Sequence, residues 1–138
     1  MKQFLPFLLL LNVLISCKKK NSEPGPDFGS QVAGEYRATL VEMEGFKTKM
    51  PAKDTIDRIS IKKINNKKAS YNIELDFSGF STREFGEADL VIDGSPIYFH
   101  PTATSDLYCK VDGDSIFIQY KSAVRGALET IKITGVKK

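Results

Sequence analysis

Few residues in this 138-residue chain are able to do acid–base, nucleophilic or metal chemistry, and their spacing gathers few of them together. His100 is the single histidine, which excludes sites built from several imidazoles. It precedes Pro101 at the end of an apolar–polar alternation, the place of a strand-end side chain. No Gly-x-Ser-x-Gly elbow is present, so a Ser–His–acid triad has no recognisable nucleophile. Asp112-Gly113-Asp114-Ser115 offers the oxygens of part of a calcium loop but lacks the spacing and distal bidentate Glu of an EF-hand; a tight hairpin turn accounts for it. Glu42 and Glu44 share one face of an alternating segment, where paired carboxylates are ordinarily solvated. No catalytic residue, metal site or cofactor is expected, and the chain reads as a non-enzyme.

Recognition is better represented than catalysis. Gly79-Phe80-Ser81-Thr82-Arg83-Glu84-Phe85-Gly86 sets two aromatics and an arginine between glycines and reads as a loop, where binding residues concentrate. At the mouth of a barrel, Phe80, Arg83 and Phe85 would form a lid with an apolar surface and an anion-reading guanidinium. The plainer alternative has the phenylalanines capping the barrel end and Arg83 paired with Glu84 or Glu87. Inward-facing Tyr36, Tyr71, Phe77 and Ile118 complete the candidate ligand-binding set. A second long connection, Gly45 to Lys53, carries Phe46 and Met50 among lysines.

The two cysteines do different work. A positive Lys2, an apolar run from Phe4 to Ile15 and the small Ser16 lead up to Cys17. That run is too short for a membrane span of about 20 residues, and Lys18-Lys19-Lys20 ends it abruptly. An ordinary secretory signal would close on Ala-x-Ala, which is absent. Leu14-Ile15-Ser16-Cys17 resembles the closing box of a bacterial lipoprotein signal. The resemblance implies cleavage before Cys17 and a diacylglyceryl group on its sulfur, so that residues 1–16 are a signal peptide and palmitate-type acyl chains anchor the protein in a membrane. Lys18 after the cysteine resembles lipoproteins sent to the outer membrane, and the Ser-Cys-Lys-Lys-Lys junction is similar to those of Bacteroidetes. Glu23 and Asp27 follow late, so both faces of that membrane stay open. Residues 17–30, rich in Lys, Asn, Ser, Pro and Gly, read as a lipidated N-terminus and flexible tether. The three lysines supply much of the net charge of +3 and suit anionic headgroups, which makes nucleic acid an unneeded partner. With Cys17 acylated, Cys109 has no internal disulfide partner and reads as a buried thiol.

Residues 31–138 form one domain's worth of chain with a period of two. Ala69, Tyr71, Ile73, Leu75 and Phe77 face one way and Ser70, Asn72, Glu74 and Asp76 the other. Glu35 to Met43 alternates similarly, with Tyr36, Ala38 and Leu40 on one face and Arg37, Thr39 and Val41 on the other. Further alternation runs through Ile59 and Ile61; Ala88, Leu90 and Ile92; Ile97 to His100; Leu107, Cys109 and Val111; Ile116, Ile118 and Tyr120; and Ile131 and Ile133. Asn65-Asn66-Lys67-Lys68, Asp93-Gly94-Ser95-Pro96 and Asp112-Gly113-Asp114 punctuate them as hairpin turns. About eight strands and no crossover helix give an all-β fold, an antiparallel up-and-down barrel, with a β-sandwich as the alternative. The sandwich's usual Trp is missing from a chain that has none.

Val32-Ala33-Gly34-Glu35-Tyr36 resembles the opening Gly-x-Trp element of lipocalin-like, or calycin, barrels, with Tyr36 in the Trp position. Ile131-Lys132-Ile133-Thr134-Gly135-Val136-Lys137 is similar to the closing strand of small lipocalin-like lipoproteins. The resemblance implies a barrel and binding of an apolar molecule. Two functions follow: a lipid-anchored barrel holding a small apolar or amphipathic ligand, or a filled barrel acting as an accessory interaction subunit beside an outer-membrane complex.

Overall fold

The computed structural model describes residues 25–51, 55–77, 79–124 and 126–138, apart from the Phe77 side chain; Cys17 and the leader lie outside them. A short helix, α1 (Phe28–Val32), precedes nine strands: β1 (Gly34–Met43), β2 (Phe46–Lys49), β3 (Ile56–Asn65), β4 (Lys68–Phe77), β5 (Phe80–Ile92), β6 (Ile97–Pro101), β7 (Tyr108–Asp112), β8 (Ser115–Val124) and β9 (Ala127–Lys137). From β3 onward each strand pairs with its sequential neighbour, β3 also pairs with β1, and β9 returns to β1. Eight antiparallel strands therefore close into an up-and-down barrel, with β2 as an extra strand beside the upper part of β1. Closure of β1 on β9 sets aside the sandwich.

Short turns enforce this order, because each reverses the chain before the next apolar alternation begins. Gly94 and Gly113 supply the positive φ, 72° and 58°, that two of these reversals need. Alternation of strand direction places α1, the β3–β4, β5–β6 and β7–β8 turns and the C-terminus at one end, here called basal. The β1–β2, β4–β5 and β8–β9 turns lie at the other, distal end.

The core is the barrel's interior. Tyr36, Ile59, Ile73, Leu75, Ile116, Ile118, Ile131 and Ile133 are each at most 1% exposed. A void wide enough for a ligand would leave such lining groups with solvent-accessible surface, so none opens between these eight side chains. α1 plugs the basal end: Phe28 and Val32 are buried, and the Tyr36 hydroxyl donates to the Val32 carbonyl at 2.8 Å. Asp27 caps α1 through the Ser30 N–H at 2.9 Å. Gly29 is required there, since a Cβ would sit 2.1 Å from the Asn65 carbonyl oxygen.

Four expectations need correction. The spacer does not extend to residue 30, because Asp27 and Phe28 already belong to the capped, packed α1. Gly79–Gly86 is not a loop: Phe80 opens the 13-residue β5, paired with β4 from Phe80 to Asp89. Gly45–Lys53 holds β2, which pairs with Leu40–Met43. Finally, the β1–β9 register shifts between Ala38 and Leu40, so Val41 is buried and Leu40 half-buried, the reverse of simple alternation. A bulge of one residue exchanges the two faces beyond it.

Candidate functional site

The candidate residues divide between the interior and the outer wall. Tyr36, Tyr71 and Ile118 point inward and are buried. Tyr36 is committed to Val32, and burial pushes its hydroxyl pKa up to about 12. Tyr71 lies under Gly86, where a Cβ would come within 2.8 Å of its hydroxyl. Phe77 is in β4, with its side chain outside the described residues. Phe80 is buried, not poised as a lid.

Arg83 and Phe85 stand outside. β5 directs Phe80, Thr82 and Ala88 inward, so the odd-numbered residues face solvent. Phe85 is 68% exposed, and the Arg83 guanidinium lies 5.7 Å from its ring centroid. Arg83 Nε also donates to Asn72 Oδ1 at 3.4 Å. Neither expected carboxylate is its partner: Glu87 pairs with Lys68 at 2.8 Å, and Glu84 turns inward to accept from the Ser105 hydroxyl at 3.1 Å. Together with Ser60, Lys62, Ser70 and Asn72, the two side chains line an open cleft of about 330 Å³ on the outer wall. Its cations, hydroxyls and the exposed Phe85 ring can hold an amphipathic, acid-bearing chain. They include no acid–base couple aimed at one point.

Beside this cleft the barrel wall is incomplete. β4 follows β5 along ten residues, whereas β6 pairs only with Ala88–Ile92. Leu90 N–H bonds to Lys67, which turns the backbone of even-numbered β5 residues toward β4; the Glu87 carbonyl accepts from Thr102 at 2.9 Å, which turns the odd-numbered ones the other way. The N–H and C=O groups of Ser81, Arg83 and Phe85 therefore point along the sheet to a side where no described strand pairs with them. β8 is similarly unpaired by β7 beyond Gln119. Between these distal segments, inside the barrel, Thr82 Oγ1 meets Ser122 Oγ at 3.2 Å and accepts from the Tyr120 hydroxyl at 3.3 Å. These hydroxyls bridge the two strand pairs across the interior at this level.

No known protein-family model matches the chain, and no curated protein is similar to it. The barrel alone agrees with the lipocalin-like resemblance. Among the described residues, no group of three or more His, Cys, Asp or Glu is placed to hold a metal ion. Cys109 is buried without a disulfide partner, and burial raises its thiol pKa well above the usual range.

The sequence also left one outer-wall feature unread. Tyr98, Tyr108 and Phe117 run across β6, β7 and β8 with ring centroids 6.1 and 6.0 Å apart, and Tyr108 is 43% exposed. Their outward parity opposite buried Ile97, Cys109 and Ile118 was the available signal.

Proposed function

We propose that this protein is an envelope lipoprotein, anchored in the outer membrane through Cys17, whose packed barrel is a protein-interaction module. It docks an extended segment of an envelope partner on the distal edge of β5. The observation that carries this is the pairing of a tightly buried interior with an unpaired edge: Tyr36 and Ile118 are fully buried, which supports a packed barrel, while Ser81, Arg83 and Phe85 present backbone donors and acceptors that no described strand pairs. Strand addition draws affinity from such groups and specificity from alternate side chains, here the Arg83–Phe85 pair. Glu84, turned inward at the same edge, guards against indiscriminate pairing, as inward charges do on natural edge strands. The role is an accessory, non-enzymatic one.

The test replaces Phe85 with a photo-crosslinking phenylalanine in the host. A discrete adduct in the envelope, lost when Arg83→Pro removes an edge N–H, supports strand addition. No adduct, or one indifferent to Arg83→Pro, overturns it. Lipidation is tested separately: Cys17→Ala abolishes palmitate labelling, and unchanged membrane attachment would contradict the anchor.

A further inference from the structure

At the basal end, Phe28, Lys67, Asp89, Leu90, Val91 and Ile92 line an open, mainly apolar cleft of about 460 Å³. Val91 and Ile92 are 46% and 47% exposed, and Ile64, at the foot of β3, is 45% exposed. These are aliphatic side chains at strand ends, where nothing in the barrel needs them outside. Isolated exposed aliphatics are ordinary, but Val91 and Ile92 adjoin one apolar cleft with Phe28 and Leu90, edged by Lys67 and Asp89, and such a group marks a contact surface.

The chain's own N-terminal side says what covers it. The described chain begins at this end, where the Asn66 side-chain amide donates to the Gly25 carbonyl at 3.5 Å and Gly29 N–H donates to the Asn66 carbonyl at 3.1 Å. Cys17 lies eight residues before Gly25, a separation of at most about 29 Å for extended chain. We propose that the sector between α1 and the end of β5 rests on the bilayer surface to which Cys17 is anchored, an inference that depends on the lipoprotein reading above.

Charge agrees with this seat. Lys62, Lys63, Lys67 and Lys68 cluster around the β3–β4 turn, and Lys137 and Lys138 end the chain at the same end. Lys63 and Lys68 are partly neutralised by Asp27 and Glu87. Lys67 lines the cleft with Leu90, Val91 and Ile92, where its stem can cover apolar surface while the ammonium group meets anionic headgroups. The acidic Asp112–Asp114 turn joins β7 and β8 at the same end, so the barrel leans on its α1 side, with Asp89 and Asp93 flanking Val91 and Ile92 within the seat. In that pose, the β5 edge around Arg83 is held toward the distal end, clear of lipid.

The test uses the full protein purified from its host, with the anchor read from its intact mass. Ile92→Cys at the basal end and Leu128→Cys at the distal end, the latter 71% exposed, each take a bimane label; buried Cys109 stays unlabelled. In vesicles of phosphatidylethanolamine and phosphatidylglycerol carrying a shallow lipid quencher, the label at position 92 should be quenched severalfold more than that at 128. Equal quenching at both positions, on protein that carries the anchor, overturns the proposal. So does quenching at 92 that appears only in native membranes, which would assign the cluster to a protein. If the mass lacks the anchor, the lipoprotein reading has failed, and the same labels in Cys17→Ser protein added to the vesicles decide this one: selective quenching at 92 upholds the seat, and none overturns it.

Discussion

The Tyr36 hydroxyl is sealed from solvent, and its hydrogen bond to Val32 fastens α1 to the first barrel strand. Tyr36→Phe removes that bond and leaves the Val32 carbonyl without it, so unfolding in urea should show a loss of about 1 kcal/mol with the fold retained. Burial pushes the hydroxyls of Tyr36 and Tyr120 up to about 12 from an ordinary 10.0. The folded state therefore holds these protons while the unfolded chain releases them. Stability is full below pH 10 and falls as pH rises from 10 toward 12. An alkaline titration of the thermal midpoint checks this, and Tyr36→Phe should flatten part of the fall. Asp27 works in the opposite sense. Its hydrogen bonds from Lys63 and Ser30 lower its carboxyl pKa from 3.8 to about 2, so what it contributes is present above pH 4 and disappears as pH falls toward 2. The midpoint difference between wild type and Asp27→Ala should be present at pH 5 and vanish near pH 2.

The unpaired stretch of β5 makes the sharpest prediction for an element. Proline at position 85 removes an N–H that faces away from β4, so Phe85→Pro should change stability by less than about 1 kcal/mol while abolishing partner capture. Loss of the fold in circular dichroism would show that this N–H serves the barrel after all. Most elements were legible in the sequence because alternation such as Ala69-Tyr71-Ile73-Leu75 records a strand with one dry face. The first half of β5 was not, since Glu84 and Gly86 occupy inward positions and break the apolar rhythm, and bracketing glycines imitate a loop; its second half showed in Ala88 and Leu90. α1 was hidden by its brevity, with only Phe28 and Val32 to betray it. The switch from Leu40 to Val41 depends on a bulge set by β9, a partner about 95 residues away that local pattern does not report. The candidate site was half legible: Arg83 and Phe85 were singled out by type, but their position on an open edge follows from where β6 stops pairing.

For the whole molecule, the proposed function gives the two ends separate work. The basal end is where the described chain begins and carries lysines and aliphatics, while the distal end carries an unfinished wall and the Arg83–Phe85 pair. Between them, inward side chains from all eight barrel strands are buried, and on the proposed reading the barrel is a rigid mount for its outer wall rather than a container. The most direct test of this account is native mass spectrometry of the mature protein released gently from its host membrane. A mass equal to the polypeptide plus its lipid anchor, with no further small molecule retained, is the expected result. A stoichiometric apolar ligand that leaves only when the barrel unfolds would contradict it.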